Sequence, residues 1–161
     1  MNKIEQVLFV CLGNTARSPA AEYLARYLVK KLGVDLMFDS CGFINAFSYI
    51  QPESRKYLES KGIDHSDFIP KIINRHLLEK QDLILTMEKS HVNKIINTFN
   101  DIEDIEEKTF TLKEFNGETT YTDIIDPYYT SGETYTKVLK IIDQNIEKAI
   151  HKIIEVNTKE I

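Results

Sequence analysis

A cysteine separated by five residues from an arginine is the feature of this sequence best suited to chemistry. Cys11 ends an apolar run, and the chain continues Leu-Gly-Asn-Thr-Ala to Arg17, followed by Ser18 and Pro19. A loop between a strand end and a helix start turns backbone N–H groups inward, where the helix dipole adds positive charge. The planar guanidinium of Arg17 can hold two phosphate oxygens. The predicted phosphate-binding residues are Leu12, Gly13, Asn14, Thr15, Ala16, Arg17 and Ser18.

Cys11 is predicted to be a nucleophile within this loop. A helix N-terminus and a neighbouring arginine favour the thiolate, the reactive form of cysteine. Ser18 could donate a hydrogen bond to that sulfur, while Gly13 permits a tight turn and Asn14 tolerates left-handed backbone. The alternative is a buried cysteine at the end of a strand, but the spacing to Arg17 and Ser18 favours catalysis.

Asp126 is the best placed general acid. Phosphoryl transfer to sulfur needs a proton donor for the departing oxygen, and Asp126 precedes Pro127, Tyr128 and Tyr129. An Asp-Pro pair by itself predicts a turn. The two tyrosines could form the walls of a slot for an aromatic side chain, which favours the catalytic interpretation. Asp123 is a weaker alternative acid.

Composition limits the classes of function. The chain has 161 residues with a net charge of −5, which predicts one domain over residues 1–161 and argues against nonspecific nucleic-acid binding. No apolar run reaches the roughly 20 residues of a membrane span, and the first residues lack a secretory signal, so a cytoplasmic location is expected. Cys11 and Cys41 form no metal-ligand pair, and neither a metal nor another cofactor is expected.

Short apolar runs alternate with segments of helical period, which predicts an α/β fold around a parallel sheet. The predicted strands are Gln6 to Val10, Met37 to Ser40, Leu83 to Met87 and Lys108 to Thr111. Helices are expected after Cys11, from about Pro52 to Ser60, at Leu77 to Lys80 and from Lys89 to Phe99, before a long loop from Asn116 to Pro127. A final helix is marked by Tyr135, Val138, Leu139, Ile142, Ile146, Ala149, Ile150 and Ile153.

Two separated motifs, the strand-Cys-x-Gly-Asn-x-x-Arg-Ser-Pro segment and Asp126-Pro-Tyr-Tyr, resemble the low-molecular-weight protein tyrosine phosphatases. The resemblance spans nearly the whole chain in family order. It implies a single α/β domain with a four-stranded parallel twisted sheet and helices on both faces. It also implies a two-step reaction in which Cys11 attacks phosphorus, Arg17 binds phosphate, and Asp126 acts first as acid and then as base.

The resemblance further implies that Asn14, Ser18 and Ser40 form a hydrogen-bond network that supports the loop. Ala16 departs from the family, because most members have a second cysteine there that can form a reversible disulfide with the nucleophile. Many members carry a supporting histidine near Phe68, whereas the nearest histidine here is His65. Cys41 replaces a small residue beside the site and is expected to be buried.

Thr15 occupies a position that is usually isoleucine in the tyrosine phosphatases of the family. A related branch that acts on phosphoarginine has threonine there. The Asp-Pro-Tyr-Tyr motif favours phosphotyrosine, so proteins phosphorylated on tyrosine are the expected substrates and protein arginine phosphatase is the alternative. The predicted substrate pocket consists of Thr15, Phe47, Tyr128 and Tyr129. The oligomeric state is left open.

Two other functions share parts of this motif. Thiol-coupled arsenate reductases resemble the chain at Cys11 and Arg17 but pass a disulfide through further cysteines, and none follows Cys41. A phosphoresidue-binding module without turnover is the nonenzymatic alternative. The presence of Asp126 together with the loop residues argues against it.

Overall fold

Four short apolar segments pair as parallel strands in the computed structural model, which describes residues 2–159. The order across the sheet is β2-β1-β3-β4. Each strand begins within one residue of its predicted start, and β1 and β2 continue one and two residues further than predicted. The strands are β1 Gln6–Cys11, β2 Met37–Gly42, β3 Leu83–Thr86 and β4 Thr109–Thr111.

Six helices connect and cover these strands within the described residues. The short α5 was not predicted, although a capping box announces it: Thr111 accepts a hydrogen bond from the Glu114 N–H, and the Glu114 carboxylate accepts one from the Thr111 N–H. The α3 helix begins before the predicted Leu77 because Asn74 caps it. The helices are α1 Arg17–Leu32, α2 Pro52–Ser60, α3 Arg75–Glu79, α4 Lys89–Thr98, α5 Leu112–Phe115 and α6 Gly132–Lys159.

Helices cover both faces of the sheet, as predicted, because side chains alternate along β1. One hydrophobic cluster contains Phe9 with buried residues of α1 and α6. The other contains Leu8 and Val10 with buried residues of α3 and α4. Burial on both faces explains the almost continuous apolar sequence of β1.

The order of the strands determines where a crevice can form. The connection that leaves β1 leads to β2 on one side, whereas the connection that leaves β3 leads to β4 on the other side, so the two diverge between the carboxyl ends of β1 and β3. In open parallel sheets, ligands bind at such a switch point. The loop from Cys11 to the first turn of α1 lies there.

The longest helix, α6, has 28 residues and buries one face against α1 and α2. Its apolar positions recur at helical spacing and are interrupted by charged residues on the other face. Within residues 2–159, no helix combines the length and apolar character that crossing a membrane requires.

Candidate active site

The loop between β1 and α1 exposes a row of backbone N–H groups. No acceptor among residues 2–159 receives a hydrogen bond from the N–H groups of Gly13, Asn14, Thr15 and Ala16. The predicted left-handed backbone is present at Asn14, where φ is 53°. Unpaired buried amides are costly unless an anion satisfies them, and the helix N-terminus reinforces this preference. The loop is therefore suited to phosphate oxygens.

Gly42 at the end of β2 allows the loop to approach closely. A Cβ atom at this position would lie 2.7 Å from the Asn14 backbone N and 2.8 Å from both the Gly13 carbonyl carbon and the Leu12 carbonyl oxygen. These neighbours are backbone atoms that cannot move aside independently. The missing side chain is therefore a steric requirement of the loop.

Asn14 ties the loop to its surroundings through three hydrogen bonds. Its side-chain NH₂ group donates to the hydroxyls of Ser18 and Ser40, both at 2.9 Å, and its side-chain oxygen Oδ1 accepts from the Lys71 N–H at 2.9 Å. The structure thus brings together the three predicted support residues. Lys71 takes part through its backbone, which no sequence signal could have revealed.

A buried carboxylate extends this network. The Ser40 hydroxyl donates to Glu22 at 2.5 Å, and Arg26 pairs with the same carboxyl group at 2.5 Å. Burial raises the pKa of Glu22, while the bonds to Ser40 and Arg26 oppose that rise. His65 contacts Glu59 instead of this network.

The sulfur of Cys11 lies at the base of the loop, 2.9 Å from the Ser18 hydroxyl. Because this hydroxyl oxygen accepts a bond from Asn14, its own proton can point toward the sulfur; the competing Cys41 carbonyl is farther away at 3.4 Å. Cys11 is only 2% exposed, so a substrate must reach it through the adjoining pocket.

Arg17 is held rigidly although it is the first residue of α1. It is 1% exposed, and its Nη1 donates to Glu88 at 2.5 Å and to the Ile124 carbonyl at 2.7 Å. Its other terminal nitrogen, Nη2, lies 3.8 Å from the Asp126 carboxylate. Glu88 was not predicted as a site residue; its only signal is its position just after the buried β3 strand.

Of the two candidate acids, only Asp126 lies at the pocket. Asp126 is 40% exposed at its side chain and lines the same pocket as Cys11, while one of its oxygens accepts the Tyr128 N–H at 3.0 Å. Asp123 accepts the Lys89 N–H at the start of α4, at 2.7 Å. Asp123 therefore stabilises a helix N-terminus and does not line the pocket.

A narrow pocket of about 170 Å³ opens above Cys11. The ring of Phe47 packs edge-on against Tyr128, with ring centroids 5.7 Å apart. The predicted pocket residues Thr15, Phe47 and Tyr128 line it, whereas Tyr129 is 92% exposed and lines an adjoining groove of about 310 Å³. Sequence reasoning missed Gln51, which lines both cavities.

The arrangement combines a nucleophile, an anion cradle and a carboxyl group along one pocket. It contains the groups needed to attack phosphorus, stabilise its equatorial oxygens and exchange a proton with a leaving atom. Among residues 2–159, no group of three His, Cys, Asp or Glu side chains is placed to ligate a metal.

Cys41 lies on β2, the strand next to the one that carries Cys11, but the two side chains belong to opposite faces of the sheet. In the parallel register Cys41 pairs with Val10, and both belong to the cluster beneath α3 and α4. Cys11 belongs to the cluster beneath α1 and α6. Burial raises the pKa of the Cys41 thiol well above its usual range, which keeps it protonated and unreactive.

Comparisons with known proteins agree with this geometry. The sequence model of the low molecular weight phosphotyrosine protein phosphatase family matches residues 6–159. A protein-arginine-phosphatase of Bacillus subtilis is 32% identical over 131 residues, which are 80% of this chain and 83% of that protein. A low molecular weight protein-tyrosine-phosphatase of Acinetobacter johnsonii is 35% identical over 127 residues, which are 78% of this chain and 82% of that protein.

A solved structure with the same fold is the low molecular weight protein tyrosine phosphatase from T. tengcongensis. It is 35% identical, superposes with a TM-score of 0.83, and the match covers 92% of this chain and 99% of that chain.

The substitution Gly42→Ala should weaken phosphate binding at least tenfold, because the added Cβ forces the loop backbone away from its position. A titration with inorganic phosphate followed by ³¹P NMR measures the affinity. Gly132→Ala is the matched control, since nothing lies within 4 Å of its added Cβ. Unchanged affinity in Gly42→Ala would show that the close approach is not required.

Mild peroxide should oxidise Cys11 to sulfenic and then sulfinic acid without forming a disulfide. Cys41 faces the other side of the sheet, and Ala16 offers no thiol to capture the first product. Mass spectrometry of the oxidised protein tests this. Ala16→Cys should instead yield a disulfide that thiols reverse, and a Cys11–Cys41 disulfide in the unmodified protein would contradict the assignment of Cys41.

Proposed function

Because the chain belongs to the low molecular weight phosphotyrosine protein phosphatase family, we propose that it hydrolyses phosphotyrosine in proteins through a phosphocysteine at Cys11. Family membership makes the chain a cysteine-dependent hydrolase that acts on phosphoproteins. The observation that carries the proposal is the Cys11 sulfur, 2.9 Å from Ser18, at the base of a loop whose N–H groups at residues 13–16 have no acceptor within residues 2–159.

In the first step the Cys11 thiolate attacks phosphorus. An S–P bond forms and the P–O bond to tyrosine breaks, while Asp126 gives its proton to the departing phenolate oxygen. The loop amides and the guanidinium of Arg17 stabilise the negative charge on the three equatorial oxygens. The anchoring of Arg17 by Glu88 supports this role, because a fixed donor needs no reorganisation during the reaction.

In the second step water replaces sulfur on phosphorus. Asp126, now ionised, takes a proton from the attacking water, the S–P bond breaks, and its electron pair returns to Cys11 as thiolate. The hydrogen bond from Ser18 stabilises the sulfur as the leaving group. The released product is inorganic phosphate.

The aromatic walls support phosphotyrosine as the substrate. Phe47 and Tyr128 contact each other edge-on and line the pocket above Cys11, and a phenyl ring in that pocket could pack against them. A shorter phosphoserine side chain would leave these contacts unmade. We propose the tyrosine side chain of a phosphoprotein as the main substrate.

Phosphoarginine is the second candidate substrate, supported by Thr15. This residue brings a hydroxyl to the pocket, and guanidinium groups also stack on aromatic rings such as Tyr128. The Bacillus subtilis relative is named a protein-arginine-phosphatase. The relative rates on the two substrates therefore form part of the functional test.

Two other functions are less well supported. Arsenate reduction by an internal disulfide relay would need a thiol that can reach Cys11, and Cys41 lies on the other face of the sheet. A binding module without turnover would not need a carboxyl group such as Asp126 in the pocket. A cytoplasmic location is part of the proposal, because the mechanism requires Cys11 to remain reduced.

The substitution Cys11→Ser should abolish turnover of phosphotyrosine peptides, since a serine hydroxyl in this loop attacks phosphorus poorly, while phosphate binding and folding persist. Cys41→Ala removes the other thiol and should leave the rate near that of the unmodified enzyme. Release of phosphate from the peptide measures both. If Cys11→Ser kept a tenth of the original rate, the phosphocysteine mechanism would be wrong.

The substitution Asp126→Asn should reduce turnover by about 10²–10⁴-fold on phosphotyrosine and much less on aryl phosphates with good leaving groups. The asparagine keeps an acceptor for the Tyr128 N–H but cannot protonate the leaving oxygen. A comparison of kcat/KM, which reports formation of the phosphocysteine, on phosphotyrosine and p-nitrophenyl phosphate measures the contrast. Asp123→Asn is the control, and equal losses on both substrates in Asp126→Asn would indicate a structural role.

A further inference from the structure

A chain of buried polar groups leads from the substrate pocket to the phosphate loop. The side-chain amide of Gln51 lies 3.3 Å from the Thr15 hydroxyl and 2.8 Å from the Tyr135 hydroxyl. The Tyr135 hydroxyl lies 2.9 Å from Ser54, whose hydroxyl lies 3.1 Å from the Ala16 carbonyl. All five residues are buried, and protein groups must satisfy the polar atoms that face away from the pocket.

The four contacts require four protons. Burial raises the pKa of Tyr135, so its hydroxyl keeps its proton. As placed, the Gln51 NH₂ group donates to Thr15, and Tyr135 donates to the Gln51 oxygen. The single proton of Ser54 must then serve both Tyr135 and the Ala16 carbonyl. One of the four contacts therefore has no proton.

Rotation of the Gln51 amide by 180° exchanges its nitrogen and oxygen and satisfies every contact. Thr15 then donates to Gln51, Gln51 donates to Tyr135, Tyr135 donates to Ser54, and Ser54 donates to the Ala16 carbonyl. Each contact has one proton, and no buried hydroxyl loses a partner. In this arrangement the Thr15 proton points toward Gln51, away from the pocket, and the lone pairs of the Thr15 hydroxyl face the pocket.

We propose that Gln51, oriented by Tyr135 and Ser54, is a positioning residue that makes the Thr15 hydroxyl a hydrogen-bond acceptor in the pocket and so admits phosphoarginine beside phosphotyrosine. This inference rests on the proposed phosphatase function. The nitrogen that joins arginine to phosphorus carries a hydrogen that Thr15 can accept, whereas the bridging oxygen of phosphotyrosine carries none.

The reaction on phosphoarginine uses the same groups. Cys11 forms the S–P bond as the P–N bond breaks, and the electron pair stays on the guanidinium nitrogen, which takes the proton from Asp126. Water then hydrolyses the phosphocysteine as before.

The variant Ser54→Ala tests the proposal at a residue that does not line the pocket; because it also removes the hydrogen bond to the Ala16 carbonyl, the test is the ratio of the two substrates and not either rate alone. Without Ser54, the Tyr135 proton has no partner unless Tyr135 donates to the Gln51 oxygen. The amide must then turn its NH₂ group toward Thr15, whose proton is driven into the pocket. The ratio of kcat/KM for phosphoarginine to that for phosphotyrosine, measured on peptides of otherwise identical sequence, should fall about tenfold.

Three further variants separate this effect from a general loss of structure. Ser60→Ala removes an exposed serine from the same helix and should leave the ratio unchanged. Gln51→Glu keeps an acceptor for the Thr15 proton and should hold the ratio at or above its original value. In a Thr15→Val background, where no hydroxyl can be reoriented, Ser54→Ala should not change the ratio.

An equal loss on both substrates in Ser54→Ala would overturn the proposal, as would the same ratio change in the Thr15→Val background. Turnover of phosphotyrosine without detectable turnover of phosphoarginine by the unmodified enzyme would also overturn it, while leaving the phosphatase function intact. Failure on both substrates would refute the phosphatase function itself, and this inference with it.

Discussion

The N–H groups of residues 13–16, which have no acceptor in the described part of the chain, are the constraint on which the rest of the site depends. A loop can direct its amides toward a ligand only if its carbonyls are satisfied elsewhere. The Leu12 carbonyl accepts from Phe43 and Ile44, the Thr15 carbonyl from the Gln51 N–H, and the Ala16 carbonyl from the Ser54 hydroxyl. The connections after β2 and the start of α2 thus hold the loop open from outside. Asn14 adds three side-chain bonds that fix its left-handed turn.

The charges around the loop follow from the same constraint. The buried guanidinium of Arg17 would be costly without a partner, and Glu88, which does not line the pocket, supplies one. Glu22 lies behind Ser40, where Arg26 pairs with it. Local positive potential can therefore exist in a chain whose net charge is −5, because compensating carboxylates lie behind the binding groups.

The two cysteines lie on opposite faces of the sheet and so in different surroundings. Cys11 lies on the face covered by α1 and α6, and Cys41 lies on the face covered by α3 and α4. One residue of register thus separates a thiol beside the pocket from a thiol in a closed apolar core. The pocket above Cys11 gains its side walls from loops that are remote in sequence, at Phe47 and Tyr128.

The sequence alone determined the α/β class, the strands, most of the helices, and the grouping of Cys11, Arg17 and Ser18, because these depend on local periodicity and short spacing. It also predicted Asp126 in preference to Asp123 as the acid, and of the two only Asp126 lines the pocket. Only the tertiary structure revealed the supporting side chains that lie far along the chain from the groups they hold. Glu88 lies 71 positions from Arg17, and Tyr135 lies 84 positions from Gln51, so no local pattern connects them. Their contacts arise because parallel strands bring their carboxyl ends to one edge of the sheet, where α6 returns the far end of the chain to α1 and α2.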